Sequence, residues 1–384
     1  MSKTVLFIRY KKPDGIKEGG EQATYRNYSI LCELFGQKQV EDYYVHSNSE
    51  HKTIWSKIKN LPYIFRNYYL GLTPQKVRQI CKIAQDKDIV FIDRSIFGII
   101  AKALKENDFK GKIVTFFQNA EVVYYQARYP KYAPYRPLLL HCINQNDAYA
   151  VRFSDLTICM NSRDSNELQK RYNKKADVII PVTLEDKQPN ETDEPLANPP
   201  TALFLGSYFP ANVEGILWFI EHVLPHVDIN LQIVGKGMDQ LESKIKQWRH
   251  SEHRKESAGK QILHYVQDDT SKIQIFSDVE NIAPFFEQAD FVISPIFKGS
   301  GMKIKTCEAM MYGKIIIGTT ESFEGYNVDF EKVGALANTK DEFIFAIEQI
   351  FKKNDNKFNV YSRNYFLQNH SNDTAKRMFE FVFS

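Results

Sequence analysis

The stretch from Phe291 to Gly318 reads FVISPIFKGSGMKIKTCEAMMYGKIIIG: an apolar run, a glycine-bearing loop and a helix start, in that order. The loop residues Lys298-Gly299-Ser300-Gly301 are mostly small, which lets a backbone approach a ligand, and the amides at a helix start favour an anion. Lys303 and Lys305 bring positive charge to the same point. Glu308 lies three residues beyond Lys305 and so shares its side of the helix. A carboxylate only accepts hydrogen bonds, so it is a poor phosphate ligand but can hold both hydroxyls of a ribose. The chemistry implied is the holding of a nucleoside diphosphate, its phosphates on the loop and its ribose at Glu308. The same residues also fit a surface helix with a Lys305–Glu308 ion pair, worth a few tenths of a kcal/mol, behind ordinary turn glycines.

These residues need a scaffold, and the chain supplies short apolar runs alternating with longer mixed segments. Strands are expected at Thr4–Ile8, Asp42–His46, Asp88–Ile92, Lys112–Phe117, Asp155–Met160 and Asp177–Pro181. Helices are expected between them, for example at Ser95–Glu106 and Arg163–Tyr172. The segment Val182–Pro200 is polar, acidic and proline-rich, which suits an interdomain linker. Alternation then restarts with strands at Thr201–Leu205, Leu231–Val234, Ile273–Phe276, Phe291–Pro295, Lys314–Gly318 and Gly334–Ala337. Helices are expected at Asn212–His222, Met238–Trp248, Ile282–Gln288, Ile304–Met311 and Asp341–Lys352, and a closing amphipathic one at Tyr361–Phe383. The expected organisation is a domain over 1–182, a linker over 183–200, a second domain over 201–355 and a helical segment over 356–384. That last segment is expected to pack back toward the first domain. The fold class is α/β: two Rossmann-like doubly wound domains with ligand between the carboxyl ends of their strands.

The stretch Pro295–Gly313 resembles the donor-binding signature of group-1 glycosyltransferases, the GT-B clan that includes many polysaccharide and lipopolysaccharide enzymes. The resemblance extends to Leu205-Gly206-Ser207 with Asn212 and Trp218-Phe219, and to Ile233–Gly237. It continues through Phe276, Val279, the Phe285–Ala289 helix, Thr320 and Glu324-Gly325. It covers roughly residues 200–330 and runs more weakly through the first half. There Gly20 resembles a glycine that approaches donor or acceptor, and Gln118-Asn119-Ala120-Glu121 resembles a strand end that often reads His-Asn-x-Glu.

The resemblance implies transfer of a sugar from a nucleoside-diphosphate sugar to a glycan or lipid-linked acceptor, without cofactor or metal and with retention the commoner outcome. Donor contacts would come from Gly20, Gly206, Ser207, Val279, Gly299, Ser300, Gly301, Glu308 and Glu324. Lys305 and Lys303 would meet the leaving diphosphate, while Gln118 and Glu121 would face the acceptor. Two departures stand out. Ser300 occupies the place of the first of two glutamates that many members carry eight positions apart, and Gly206–Asn212 lacks the usual Arg and Lys. Gln118 can donate a hydrogen bond but takes no proton at neutral pH. A nucleotide-sugar epimerase on the same fold, or a non-catalytic nucleotide-sugar-binding or scaffold protein, are the alternatives.

Bulk properties agree with a globular protein. The 384 residues are 43% hydrophobic and 25% charged, and no apolar run approaches the ~20 residues of a membrane span. Five scattered cysteines without metal or redox spacing suggest reduced thiols in a cytoplasm. Residues 1–180 carry a net +11 and the remainder −8, which suits an anionic partner for the first half, including the inner face of a cell membrane. Two segments there, Trp55–Tyr69 and Tyr124–Arg136, mix aromatic and basic residues. Nucleic acid is not expected. Gly235-Lys236-Gly237 lacks the third glycine of a dinucleotide fingerprint, Gln240 standing there, which argues against a nicotinamide enzyme. His222 and His226 are separated by Pro225, and Asp86-Lys87-Asp88 precedes a strand; both read as helix or turn ends, not as metal sites.

Overall fold

The computed structural model describes residues 3–11, 19–46, 61–69, 71–245, 272–299, 301–353 and 356–384. The chain forms two compact units, Met1–Leu184 with Asn372–Ser384, and Glu185–Ser371.

In the first unit six parallel strands are ordered β2-β1-β3-β4-β5-β6. They are β1 Val5–Arg9, β2 Val40–Tyr44, β3 Ile89–Ile92, β4 Lys112–Phe117, β5 Leu156–Cys159 and β6 Val178–Ile179. Every residue of β1 and β3 is buried, as strands covered on both faces must be. The helix Pro74–Ala84 shows how the cover forms. Proline opens it, the Thr73 hydroxyl caps it by accepting from Lys76 N at 3.3 Å, and Val77, Ile80, Cys81 and Ala84 form its buried stripe. Each fully buried aliphatic side chain of this kind contributes about 1.5–3 kcal/mol.

The second unit repeats the plan with the order β12-β11-β10-β7-β8-β9. Its strands are β7 Thr201–Leu205, β8 Asn230–Val234, β9 Ile273–Phe276, β10 Phe291–Ser294, β11 Ile315–Gly318 and β12 Gly334–Leu336. Chain order reverses between β1 and β3 in one sheet and between β7 and β10 in the other. The carboxyl ends at such a reversal splay their loops apart and leave a crevice for ligand.

Several elements depart from the expected ones. The second strand begins at Val40, two residues early, straight after a 3-10 turn at Gln37–Gln39. Ser95–Glu106 is a 3-10 turn, Ser95–Phe97, followed by the helix Gly98–Glu106. The closing segment is two helices, Val360–Asn369 and Asn372–Phe383, and the unit boundary falls between them. Residues 356–371 therefore belong with the second unit and 372–384 with the first. Of the helix expected over Met238–Trp248, residues 240–245 are helical and 246–248 lie outside the described residues. The proline-rich segment is irregular and packs on the second unit: Asp186 accepts both Nη1 and Nη2 of Arg363, at 2.7 and 2.8 Å, and Pro195 bridges Asn356.

Candidate functional site

The loops at the β7–β10 reversal bring the second-unit candidates together. Gly206 follows β7, and its amide donates to Val234 O at 3.0 Å. Gly235, after β8, has φ +155°, and a Cβ there would lie 2.0 Å from the Gly206 carbonyl oxygen. Only glycine allows this close pairing of the two loops. The helix Pro210–His222 approaches from the side through Gly215, where a Cβ would fall 1.9 Å from the Pro295 carbonyl oxygen.

Lys305 sits at the centre. Its Nζ donates to Asn212 Oδ1 at 2.7 Å, lies 4.8 Å from the centre of the Phe204 ring, and is 3.2 Å from where a Gly206 Cβ would stand. The other end of the Asn212 amide donates to Ser207 O at 2.9 Å, so one side chain ties the β7 loop to the lysine. Lys305 and Glu308 keep some exposure but sit deep among protein atoms. Burial, helped by the nearby Lys303, pulls Lys305 down to about 7 against the attraction of Glu308. Burial likewise pushes Glu308 up to about 7 against the pull of Lys305. The two do not form the ion pair considered above; Lys305 is turned to Asn212. Among the described residues the Glu308 carboxylate accepts no hydrogen bond.

The helix Ile304–Met311 starts with no side-chain cap; the Thr306 amide turns back to Lys303 O at 3.0 Å, so among the described residues the first-turn amides left open to an anion are those of Ile304 and Lys305. Gly301, with φ +65°, makes the turn into it, and Tyr326 fixes the residue before it by donating to Lys303 O at 2.8 Å. Ser300 lies outside the described residues. Lys303 is engaged already: Nζ bonds Glu321 Oε1 at 2.6 Å and Gly301 O at 2.8 Å. Its charge is thus opposed before any phosphate arrives, unlike the open cation expected of it. A Cβ on Gly299 would lie 3.0 Å from the same Glu321 oxygen, so this loop and the one after β11 are in close register. Glu324 lies beyond Glu321, its amide 3.4 Å from the Glu321 carbonyl oxygen, and Val279 stands half-buried in the loop after β9.

In the first unit, Gly20 and Gln118 come together near the β1–β3 reversal, while Glu121, three residues on, turns to Arg94. Gln118 Nε2 donates to Thr24 Oγ1 at 2.9 Å and to Asp93 Oδ2 at 3.3 Å. Glu121 is sealed from solvent, and both its oxygens are taken by Arg94, at 2.9–3.0 Å. A carboxylate enclosed by a guanidinium fork holds a helix start in place. Asp147 braces the same helix, accepting from Val122 N at 3.1 Å and Ser95 Oγ at 2.7 Å.

Sequence reasoning missed Asp93, Arg94 and Glu321. For the first two a signal exists, since Asp93-Arg94 directly follows the carboxyl end of β3, where doubly wound sheets bind ligand. Glu321 had none, because its partner Lys303 is 18 positions away.

Residues 199–353 match the family model described as Glycosyl transferases group 1. A relative from Klebsiella pneumoniae, described as an uncharacterized 44.6 kDa protein in cps region, is 27% identical over 188 residues. That alignment covers 47% of this chain and spans 44% of the relative's length. The fold is similar to that of HepE from Anabaena in complex with UDP and glucose, with a TM-score of 0.63 at 10% identity across 99% of both chains. Sucrose-phosphate synthase from Thermosynechococcus elongatus gives 0.66 at 12% identity, over 99% of this chain and 98% of that one. The apo form of the lipopolysaccharide outer core galactosyltransferase WaaB gives 0.63 at 13% identity over 99% of both. The two units are those of a GT-B fold.

Proposed function

We propose, from the match of residues 199–353 to the family model described as Glycosyl transferases group 1, that the chain moves a sugar from a nucleoside-diphosphate sugar to a glycan or lipid-linked acceptor in surface-polysaccharide synthesis. The observation that carries this reading is Glu308, a deep carboxylate accepting no hydrogen bond, beside Lys305 and an uncapped helix start. Glu308 takes the ribose hydroxyls. Lys305, with Asn212 holding it, meets the charge that builds on the leaving diphosphate, and the amides after Gly301 share it. That electrostatic work needs no resident metal, and the resemblance supports retention at the transferred sugar carbon. HepE with UDP and glucose, and a lipopolysaccharide galactosyltransferase, support the donor and acceptor classes by analogy.

A panel of UDP-, GDP- and ADP-sugars in a thermal-shift assay tests the donor. A ligand at a hundred times its Kd adds about 2.7 kcal/mol to the native state, or roughly 5–10 °C for a unit of this size. No shift from any member, with no nucleotide release, would leave the binding-free scaffold as the better account.

We also propose that the first unit docks on the anionic inner face of a cell membrane. Phe65 and Tyr132 are 66% and 90% exposed, and Leu61 and Tyr135 are also exposed, near Arg66, Lys131 and Arg136. The Tyr69 and Tyr129 hydroxyls join the two segments, and Tyr129 packs edge-on to Tyr135. Residues 55–60 of the first segment lie outside the described residues. Basic residues at such a surface add ~1 kcal/mol each. Binding to acidic vesicles should fall as salt shortens the screening length, and replacing Lys131 and Arg136 by Gln should weaken it about tenfold or more. Equal binding to neutral vesicles would rule the contact out. Among the described residues no helix is long and apolar enough to cross a membrane.

A further inference from the structure

We propose that Asp93 is a positioning residue: it turns the Gln118 amide so that the Gln118 oxygen receives a sugar hydroxyl beside Gly20. The proposal rests on the glycosyl-transfer reading and adds to it a residue and the polarity of the contact it sets.

Asp93 follows β3 directly, at 1% exposure, and both its oxygens are in use. Oδ1 accepts from Asn27 Nδ2 at 3.0 Å, while Oδ2 accepts from the Thr24 hydroxyl and from Gln118 Nε2 at 3.3 Å. Thr24 Oγ1 lies within reach of both Asp93 Oδ2 and the Gly20 carbonyl oxygen, the latter at 3.1 Å; whichever takes its proton, a lone pair remains to accept from Gln118 Nε2 at 2.9 Å. Asp93 Oδ2 and Thr24 Oγ1 are hydrogen-bonded neighbours on one side of Nε2, so the nitrogen end of the amide faces Asp93. The reversed amide would set an oxygen against a carboxylate and a hydroxyl lone pair.

This leaves Gln118 Oε1, which among the described residues accepts no hydrogen bond. A Cβ on Gly20 would lie 2.8 Å from it, and beyond Gly20's own helix and chain neighbours that point has no described neighbour within 4 Å other than the Gln118 side chain. The oxygen thus borders space that Gly20 keeps clear. An amide oxygen accepts from a hydroxyl and disfavours phosphate or carboxylate, so the ligand group is a sugar hydroxyl, whether on donor or acceptor. Burial raises Asp93 to about 6, with Thr24, Asn27, Arg94 and Arg26 pulling the other way. Above that pH it remains an acceptor.

Asn27 makes the test sharp. Its own oxygen is fixed by Arg26 Nε and Nη2, at 3.1 and 2.8 Å, so its Nδ2 must face position 93. In Asp93→Asn the new oxygen must meet Asn27, and its NH2 then points at Gln118 and drives that amide to flip. Asp93→Asn is expected to lower turnover about tenfold, the size of one hydrogen bond lost at a reacting substrate, with the Kd for UDP unchanged. Gln118→Glu alone opposes two carboxylates and should lose more. The double variant Asp93→Asn/Gln118→Glu reverses donor and acceptor together and should recover to within about threefold of wild type. Gly20→Ala places a methyl group 2.8 Å from the oxygen, so the amide must give way, and it should lower turnover as much.

Turnover is read as nucleotide release from UDP-glucose, UDP-galactose and GDP-mannose, and as transfer to a bacterial membrane fraction. A donor hydroxyl affects both assays; an acceptor hydroxyl affects transfer alone. The Gln118 side-chain amide protons, assigned in NMR spectra by their loss in Gln118→Glu, should exchange about tenfold faster in Asp93→Asn. Unchanged exchange, unchanged turnover in both assays, or a loss that the double variant fails to relieve would each overturn the role of Asp93. A wild-type chain that turns over no sugar nucleotide would overturn the glycosyl-transfer reading instead, while the amide exchange still decides the positioning.

Discussion

Lys305→Ala is expected to lower kcat by about two orders of magnitude while changing the donor KM only severalfold, because removing one preorganised donor from a developing oxyanion costs ~2.7–4 kcal/mol. The expectation rests on how the side chain is held, with Asn212 accepting from it, the Phe204 ring beneath it and, among the described residues, no carboxylate within ion-pair reach. A lysine spending its charge on a neighbour would add less; Lys303, paired with Glu321, is that case. Lys303→Ala should therefore cost far less than Lys305→Ala. There is a second signature. Burial holds Lys305 at about 7 in the empty site, and a diphosphate beside it favours the charged form. UDP binding at pH 7 should then take up about half a proton at this group, and affinity should weaken as pH rises from 7 to 9. Calorimetry in buffers of different ionisation enthalpy reads the uptake directly, best in Glu308→Gln, where the carboxylate no longer titrates. A normal kcat in Lys305→Ala, or no proton uptake, would remove the lysine from the diphosphate.

The parts of this molecule that were legible in advance are those governed by local pattern. Runs such as Ile89–Ile92 and Ile315–Gly318 are apolar throughout because both faces of a parallel sheet are covered, and they could be placed to within a residue or so. The glycine loop and the Lys305–Glu308 spacing were legible for the same reason, since a loop and one helix hold them together. What escaped depends on residues far apart in sequence. Whether Glu121 is an open acid or a sealed ion pair is decided by Arg94, 27 positions away. Where Asp186 packs is decided by Arg363, 177 positions on. The break between Asn369 and Asn372 is likewise invisible in an amphipathic pattern that runs through it. Local chemistry nominates side chains, and tertiary neighbours decide which of them remain available.

Glu308 is the carboxylate that remains available, and Glu308→Gln is expected to weaken UDP binding by about 10- to 100-fold, a charged hydrogen bond contributing ~1.5–3 kcal/mol. Uracil-free pyrophosphate should bind the variant as it binds wild type, since the loss falls on the ribose and not on the phosphates. The cost to the empty protein has the opposite sign. Burial raises the folded pKa of Glu308 to about 7, above its unfolded value near 4.3. A group shifted this way stabilises the fold fully below the unfolded pKa, and that stability is lost as pH rises through the folded one. The neutral Gln has no such loss, so without ligand the variant should gain on wild type between about pH 4.5 and 7. Denaturant midpoints across that window, set beside UDP affinities at pH 7.5, give the discriminating pair. A folded variant that binds UDP as tightly as wild type would take Glu308 out of the site. One that loses stability and affinity together at every pH would make it a packing residue of the helix Ile304–Met311.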